Sequence, residues 1–318
     1  MDPSGRPLEQ FEEHRVRLRA VAYRMLGSAS EADDAVQEAW LRLSRADTSA
    51  VENLGGWLTT VVARLCLNML RTRRSRREEP LDVEEPAAVL GGKDGGGPEQ
   101  EALLADSVGL ALLVVLDTLT PAERIAFVLH DLFAVPFDAI GPMVERTPAA
   151  ARQLASRARR RVKGVARVPE ADLARQRRVV DAFLAASREG DFEALVALLD
   201  PDIVLRADAA AGPTALPVTL RGARIVANGA SAASARARFS EPALVNGSVG
   251  LVTAPLGRLH VVLGFTVVGD RITAIEVIGD PDRLRSLDIG VLDVSRAMAP
   301  TRKLSPAESP SGSAETLP

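Results

Sequence analysis

Apolar side chains recur over residues 8–76 at the three- and four-residue spacing of a helix face. Ser30 is read as an N-cap, with Asp33 in the first turn where the positive helix end favours a carboxylate. Val36, Trp40 and Leu43 then form one face of this helix; Asp34, Gln37, Glu38 and Leu41 form another at the same spacing. The next helix is predicted to start near Asn53, with Leu58, Val62, Leu65 and Met69 as its apolar stripe and Arg64, Asn68 and Arg71 on a separate polar stripe. The pattern stops between residues 77 and 100. The run from Glu78-Glu79-Pro80 through Glu84-Glu85-Pro86 is acidic and broken by proline, and Gly91-Gly92 and Gly95-Gly96-Gly97-Pro98 follow it, which is the composition of a flexible linker.

Helical periodicity returns over residues 99–166. Thr120-Pro121-Ala122-Glu123 places a cap, a proline at the first helical position and a glutamate at the third, ahead of Ile125, Val128, Leu129 and Leu132. A short element carries Phe137, Ile140 and Val144. After a tight turn at Val144-Glu145-Arg146, Thr147-Pro148 opens a longer helix that runs to about Lys163. A short helix, a tight turn and a longer basic helix make a helix-turn-helix. From Pro169 the character changes. Two helices are predicted over residues 170–199, and strands follow at Ile203-Val204-Leu205, Ala243-Leu244-Val245, around Val249, Leu251 and Val252, over 259–268 and over 272–278, with Gly269-Asp270 as a hairpin turn. A helix pair followed by a curved antiparallel sheet makes this third unit α+β. The tail from about Ser295 is rich in Ser, Pro and Ala and is read as disordered.

Composition sharpens this picture. Hydrophobic residues make up 47% of the chain and aromatic ones only 3%, so the cores must be built mainly from Ala, Leu and Val. The net charge of −3 does not point to a nucleic-acid binder, but its distribution does. Arg64, Arg71, Arg73, Arg74, Arg76 and Arg77 crowd one stretch, and Arg152, Arg157, Arg159, Arg160, Arg161 and Lys163 another. The lone cysteine, Cys66, excludes an intrachain disulfide and reads as a small buried apolar residue. No signal-peptide pattern is present, and the apolar run over 243–268 is broken by Asn246, Pro255, Gly257, Arg258 and His260. A soluble cytoplasmic protein, monomeric when free, with no cofactor, no metal and no membrane contact, is the expectation.

The basic helix over 147–163 has small residues, Ala149, Ala150 and Ala151, at the end that Thr147 caps, which lets a helix sink close to base edges in the major groove. Arg152, Gln153, Ser156 and Arg157 can then reach bases or phosphates, while Arg159, Arg160 and Arg161 suit phosphates. A solvated arginine-rich surface helix would look similar, but the preceding short helix and turn favour the DNA reading. Two basic helices on a flexible linker suit two contacts on one DNA. The face with Asp34, Gln37 and Glu38 is acidic and suits a protein partner.

These residues carry a resemblance. Asp34-Ala35-Val36-Gln37-Glu38-Ala39-Trp40-Leu41-Arg42 resembles the polymerase-clamp-binding helix of sigma region two. Gly56-Trp57-Leu58-Thr59-Thr60-Val61-Val62-Ala63-Arg64, continuing to Arg77, resembles the helix that recognises and helps melt the −10 element. Leu119-Thr120-Pro121-Ala122-Glu123-Arg124 resembles the start of region four, and Ala150-Ala151-Arg152-Gln153-Leu154-Ala155-Ser156-Arg157-Ala158-Arg159 its −35 recognition helix. The order and spacing over residues 8–165 are similar to extracytoplasmic-function sigma factors, which retain only these two regions. The resemblance implies docking on core RNA polymerase through Asp34, Gln37, Glu38 and Leu41. It implies −10 contacts by Asn68, Arg71, Arg73 and Arg74, with the loop over 47–53 near a flipped −10 base, and −35 contacts by Thr147, Ala150, Arg152, Gln153, Ser156, Arg157 and Arg160. Two residues depart from the pattern: Glu145 stands where a glycine is common in the turn, and Pro142 lies inside the short helix.

The third unit resembles the cone-shaped SnoaL-like domain fused to one subgroup of these factors. Gly279-Asp280-Pro281-Asp282-Arg283-Leu284 is similar to that subgroup's Asn-Pro-Asp-Lys-Leu motif. Asp202-Ile203-Val204-Leu205-Arg206-Ala207-Asp208 resembles the strand before its glycine-rich motif, replaced here by Asp208-Ala209-Ala210-Ala211-Gly212. Asp208, Asp280, Pro281, Asp282 and Leu284 are thereby expected at an interdomain contact. The implied layout is region two over 1–77, a linker over 78–98, region four over 99–168, the SnoaL-like domain over 169–294 and a tail over 295–318. Folds of this type also host enzymes. The available proton-transfer candidates are Asp208, which reads better as a turn or capping residue, and His260, which reads better as a structural histidine on a strand beside Val262. A regulatory domain is the favoured reading, open to a small-molecule ligand or a protein regulator. A polymerase-independent helix-turn-helix regulator and an enzyme with a DNA-binding appendage remain as alternatives.

Overall fold

The computed structural model describes residues 5–47, 51–78, 109–212 and 215–293. The expected linker beyond residue 78, the first residues expected of region four, residues 48–50 of the loop expected near the flipped base, and the tail from 295 lie outside the described residues.

Helices α1 (Gly5–Leu26), α2 (Ala29–Leu43) and α3 (Leu54–Glu78) form the N-terminal group. The helix expected to start at Ser30 starts one half-turn earlier. Ser28 is the N-cap, its hydroxyl accepting from Glu31 N at 3.4 Å, and Glu31 is the first-turn acid. Asp33 instead holds Arg19 of α1, with Nε 2.6 Å from Oδ1. Asn53 does open α3, its side-chain oxygen accepting from Gly56 N at 2.8 Å. Ala32, Ala35, Val36, Ala39 and Leu43 face the core, and the small alanines let α2 lie close against α1.

Helices α4 (Leu110–Thr118), α5 (Pro121–Phe127), α6 (Phe137–Met143) and α7 (Pro148–Lys163) follow, with a π-helical turn at Val128–Leu132 between α5 and α6. Every residue of α4 from Leu110 to Leu116 is buried, so these first two turns have no solvent face.

The C-terminal unit has α8 (Glu170–Glu189), α9 (Phe192–Leu198), β1 (Leu199–Ala207), β2 (Val218–Arg221), α10 (Ala223–Ala232), α11 (Ser234–Ala237), β3 (Ser240–Val245), β4 (Ser248–Thr253), β5 (Val261–Val268), β6 (Arg271–Ile278), α12 (Pro281–Ser286) and β7 (Ile289–Gly290). The strands form a seven-stranded sheet in the order β2-β1-β6-β5-β4-β3-β7. The expected antiparallel sheet needs one correction: β1 pairs with β6 in parallel, Leu205 opposite Ile275, so the sheet is mixed. The strand expected from 259 begins at Val261, leaving His260 outside it and exposed.

Strand alternation divides this sheet between two cores. Val249, Leu251, Phe265, Ile272 and Ile275 face α8, α9 and α10 with Val180, Phe183 and Leu195. On the opposite face Ala243, Val245, Val252, Val262 and Ile278, with Ala254, Leu284, Ile289 and Val291, join one continuous core with α1–α7. The helical groups and the sheet are therefore packed as one body rather than strung apart.

Candidate nucleic-acid interface

The helix-turn-helix is assembled from local signals. Thr120 and Glu123 form a reciprocal capping box on α5, and Thr147 caps α7, accepting from Ala150 N at 3.2 Å. The turn between α6 and α7 is tight: Arg146 N donates to Gly141 O at 2.9 Å, and a Cβ at Gly141 would lie 2.8 Å from Arg146 O. Glu145 adopts φ 58 in this turn, the left-handed region where the expected departure from glycine is a real steric cost. Pro142 is exposed in the last turn of α6 and does not break the helix.

On α7, Ala151, Ala155, Ala158 and Val162 are buried, while Arg152, Gln153, Ser156 and Arg160 are exposed on the other side, with Thr147 also exposed and Ala150 half-buried. Arg152 sits over the Phe137 ring of α6, 5.4 Å from its centroid. Other arginines of the helix are tied inward. Arg157 Nε lies 3.0 Å from Glu123, Arg159 Nε lies 2.8 Å from Asp131, and Arg161 donates to Thr118 O at 3.1 Å. Burial acts to raise the Glu123 carboxyl, but donation from Thr120 and Arg157 outweighs it and holds the group below its ordinary value. At Asp131 burial wins over the attraction of Arg159, and the carboxyl is raised. The sequence shows these arginines as one charge run; it contains no signal for which of them brace the helix.

On α3, Asn68, Arg71 and Arg74 are exposed. Arg73 is half-buried: it is ion-paired with Glu31 of α2 and donates to Leu26 O at 3.2 Å, so it links helices. Arg71 pairs with Glu145 of the helix-turn-helix turn at 3.2 Å. A groove of about 370 Å³ lies between α3 and the α4–α5 junction, lined by Arg73, Arg74, Arg124 and Arg161 among others. Arg124 is nearly fully buried and joins the two groups, donating to Met25 O at 2.8 Å and to Asp117 at 2.9 Å. Arg24 of α1 reaches across to the Phe133 ring, and burial pushes its guanidinium below the ordinary value. Buried arginine links of this kind were not foreseen.

On α2, Asp34, Gln37 and Leu41 are exposed and Glu38 is half-buried, paired with Arg42 at 3.0 Å. Leu41 is 39% exposed, a large apolar side chain held out among polar ones.

In the C-terminal unit Asp208 binds its own loop. Its carboxylate accepts from Ala211 N, Gly279 N and Asp280 N and meets Arg283 at 3.3 Å. Burial acts to raise it, and these donors hold it below its ordinary value. Asp280 caps α12, accepting from Asp282 N and Arg283 N, with Pro281 at the first position. Leu284 alone of the residues expected at the interdomain contact belongs to the core shared with α1–α7. The glycine-rich motif is missing from 208–212, and this loop packs closely on Gly279, where a Cβ would lie 2.6 Å from Ala211 N. Asp208 and His260 are not gathered into an apolar pocket. Among the described residues no cluster suited to a metal ion occurs, and no helix is long and apolar enough to cross a membrane.

Comparison with known proteins places this geometry. Residues 10–76 match Sigma-70 region 2, and residues 109–162 match Sigma-70, region 4. The chain is 38% identical over 276 residues to the ECF RNA polymerase sigma factor SigJ of Mycobacterium tuberculosis (strain ATCC 25618 / H37Rv), covering 85% of this chain and 87% of that protein. It is 33% identical over 277 residues to the probable ECF RNA polymerase sigma factor SigI of Mycobacterium tuberculosis (strain CDC 1551 / Oshkosh), covering 86% and 93%. The crystal structure of the Mycobacterium tuberculosis extracytoplasmic function sigma factor SigJ aligns with 33% identity over 87% of this chain and 97% of that one, at a TM-score of 0.42. The chain belongs to the ECF RNA polymerase sigma factors, non-enzymatic proteins that direct transcription initiation.

Proposed function

We propose that this sigma factor binds core RNA polymerase through α2, approaches the −10 element with α3 and places α7 in the −35 major groove. The observation that carries the reading is the division of α7: an alanine face buried against α5, and Arg152, Gln153, Ser156 and Arg160 exposed on the other side. Small buried residues bring the helix axis close to its support, and the outward side chains are those that hydrogen-bond base edges and phosphates. Thr147, Ala150 and Arg157 belong to the same contact set: Thr147 and Ala150 form the helix start, and the Arg157 side chain stays half-exposed although its Nε is bound to Glu123. On α3, Asn68, Arg71 and Arg74 supply the −10 face, and Arg73 supports it from behind through Glu31. On α2, Asp34, Gln37, Glu38 and Leu41 supply an acidic surface around one apolar contact, suited to a basic polymerase surface.

The division into 1–77, 78–98, 99–168, 169–294 and 295–318 is the organisation that goes with these roles. The C-terminal unit is read as SnoaL-like, supported by its helix pair on one face of a mixed sheet. Its role is regulatory. A small-molecule ligand or protein regulator that acts on it reaches the DNA-reading helices through their shared core, where Leu284 lies and where Asp208, Asp280, Pro281 and Asp282 fix the α12 turn behind it. The test is multi-round transcription with bacterial core polymerase on genomic promoter fragments. New specific start sites that weaken on Arg152→Ala and on Leu41→Asp are expected. Start sites that ignore both substitutions would refute the assigned surfaces.

A further inference from the structure

Two helices of the −35 reading group obtain a terminal cap from outside that group. Helix α4 opens at Gly109, which has no side chain to accept from the first amides. The acceptor comes from β3 of the sheet: Glu241 Oε2 takes a hydrogen bond from Ala111 N at 2.8 Å. A carboxylate there also faces the positive end of the helix. At the far end of the group, α7 stops at Gly164, which has φ 61. The Val162 carbonyl in its last turn accepts from Val291 N, just past β7, at 2.7 Å.

That approach requires glycine on both chains. A Cβ at Gly164 would lie 3.0 Å from Gly290 Cα, and one at Gly290 would lie 2.7 Å from Gly164 Cα and 2.9 Å from Gly164 N. The chain leaving α7 stays on the sheet, since Arg167 N donates to Gly247 O in the β3–β4 turn at 2.9 Å. Strand β7 is itself anchored. Leu244 pairs with Gly290 and Val245 with Ile289, Asn246 N donates to Asp288 O at 2.8 Å, and Asp288 N donates to Asn246 Oδ1 at 2.9 Å.

We propose that the C-terminal sheet is a working part of the −35 reader, holding α4 and α7 by their ends through Glu241 and the Gly164–Gly290 crossing. The physical need follows from the buried face of α7. Ala151, Ala155 and Ala158 present little relief, so packing alone specifies roll and slide of the helix poorly. Base-edge contacts demand positions good to about 0.5 Å and 10–20°. The Val291 N to Val162 O bond at the helix end adds a backbone constraint to the braces of Arg157, Arg159 and Arg161, and it ties the helix to the chain just past β7.

The proposal rests on the reading of α7 as the −35 helix, and the experiment separates the two. Full-length protein with bacterial core polymerase initiates on one promoter fragment in two forms, with its −35 segment intact or scrambled, and the ratio of the two rates is read. Arg152→Ala with Gln153→Ala must lower the ratio; if it does not, the −35 reading itself is wrong. With that reference in place, Glu241→Ala and Gly290→Ala are each expected to lower the ratio about fivefold, the factor set by one net hydrogen bond, with the rate on the scrambled form unchanged. Glu241→Gln keeps an acceptor oxygen and restores most of the ratio. Should Gly290→Ala also slow the scrambled form, the backbone has been disrupted and Glu241→Ala, which removes only a side chain, decides. A wild-type ratio for Glu241→Ala beside a lowered ratio for the Arg152 and Gln153 reference overturns the proposal.

Discussion

Arg71 of α3 donates from Nη1 to Glu145 Oε1 at 3.2 Å, joining the helix assigned to the −10 element to the turn ahead of the −35 helix. Both side chains are exposed, 49% and 71%, so the pair contributes no more than about 1 kcal/mol and is screened by salt. Glu145 matters more for its backbone. At φ 58 it carries the left-handed cost of about 1–2 kcal/mol that a glycine avoids. Glu145→Gly is therefore expected to stabilise the protein by roughly 0.5–1 kcal/mol in urea unfolding, net of the lost ion pair. A loss of stability would show that the pair, not the backbone, governs this turn.

Glu123 predicts an acid response. Its folded value is depressed, so the stability it contributes is fully present above the unfolded carboxyl value of about 4.3 and is lost as pH falls through the folded value. Glu123→Gln is expected to flatten this part of the stability-against-pH curve, measured by urea midpoints from pH 6 downward. Asp131 has the opposite sign: burial raises its folded value, so ionisation costs stability above it and protonation on acidification relieves that cost. An unchanged acid limb in Glu123→Gln would rule out the capping glutamate as its source.

Asp208 holds the turn that leads into α12. Removing its carboxylate leaves Gly279 N and Asp280 N without their acceptor, while Ala211 N keeps only the Asp208 backbone carbonyl at 3.2 Å. Asp208→Ala is expected to cost about 2–3 kcal/mol in urea unfolding. It should also speed hydrogen exchange at Gly279 and Asp280 before exchange rises elsewhere. A neutral substitution would mean that the turn is held by the Gly279 approach alone.

Cys66 is fully buried among α1–α3, and burial pushes its thiol up to about 12. Native protein is therefore expected to be inert to thiol reagents near neutral pH, because the thiolate is the reacting form. Labelling should appear only as denaturant opens the helices, and its rate should track unfolding. Rapid labelling of native protein would contradict the burial.

Much of the helical fold is legible locally. Thr120, Thr147 and Asn53 announce their helices because a cap is chemistry within one turn of the chain. Ser30 misleads because Ser28 offers the same hydroxyl with Glu31 at the matching offset, and a two-residue shift leaves the apolar stripe intact. Helix α4 does not stand out as the centre of the molecule, since a segment apolar on all sides has no periodic face. The β3–β4 hairpin is written in Asn246-Gly247, both at positive φ, 48 and 86, as a two-residue turn requires, yet the surrounding apolar run hides it. Strand β2 is short and only half-buried, and the parallel pairing of β1 with β6 depends on distant chain that no local pattern encodes. The exposed candidates Arg152, Gln153, Ser156 and Arg160 were readable from the helix period. That Arg157, Arg159 and Arg73 lean on carboxylates was not, because those partners come from other helices.

Helix α4 also sets an order of events during synthesis. Its side chains Leu112 and Leu116 share a core with Ile289 and Val291, far along the sequence. At ribosomal rates of about 5–20 residues per second, roughly nine to thirty-five seconds separate the appearance of Leu116 from that of Val291. For that interval α4 lacks the strands β3 and β7 that cover part of it. A nascent chain of this protein thus leaves this part of its core open late in translation, and a chain truncated before Val291 keeps it open.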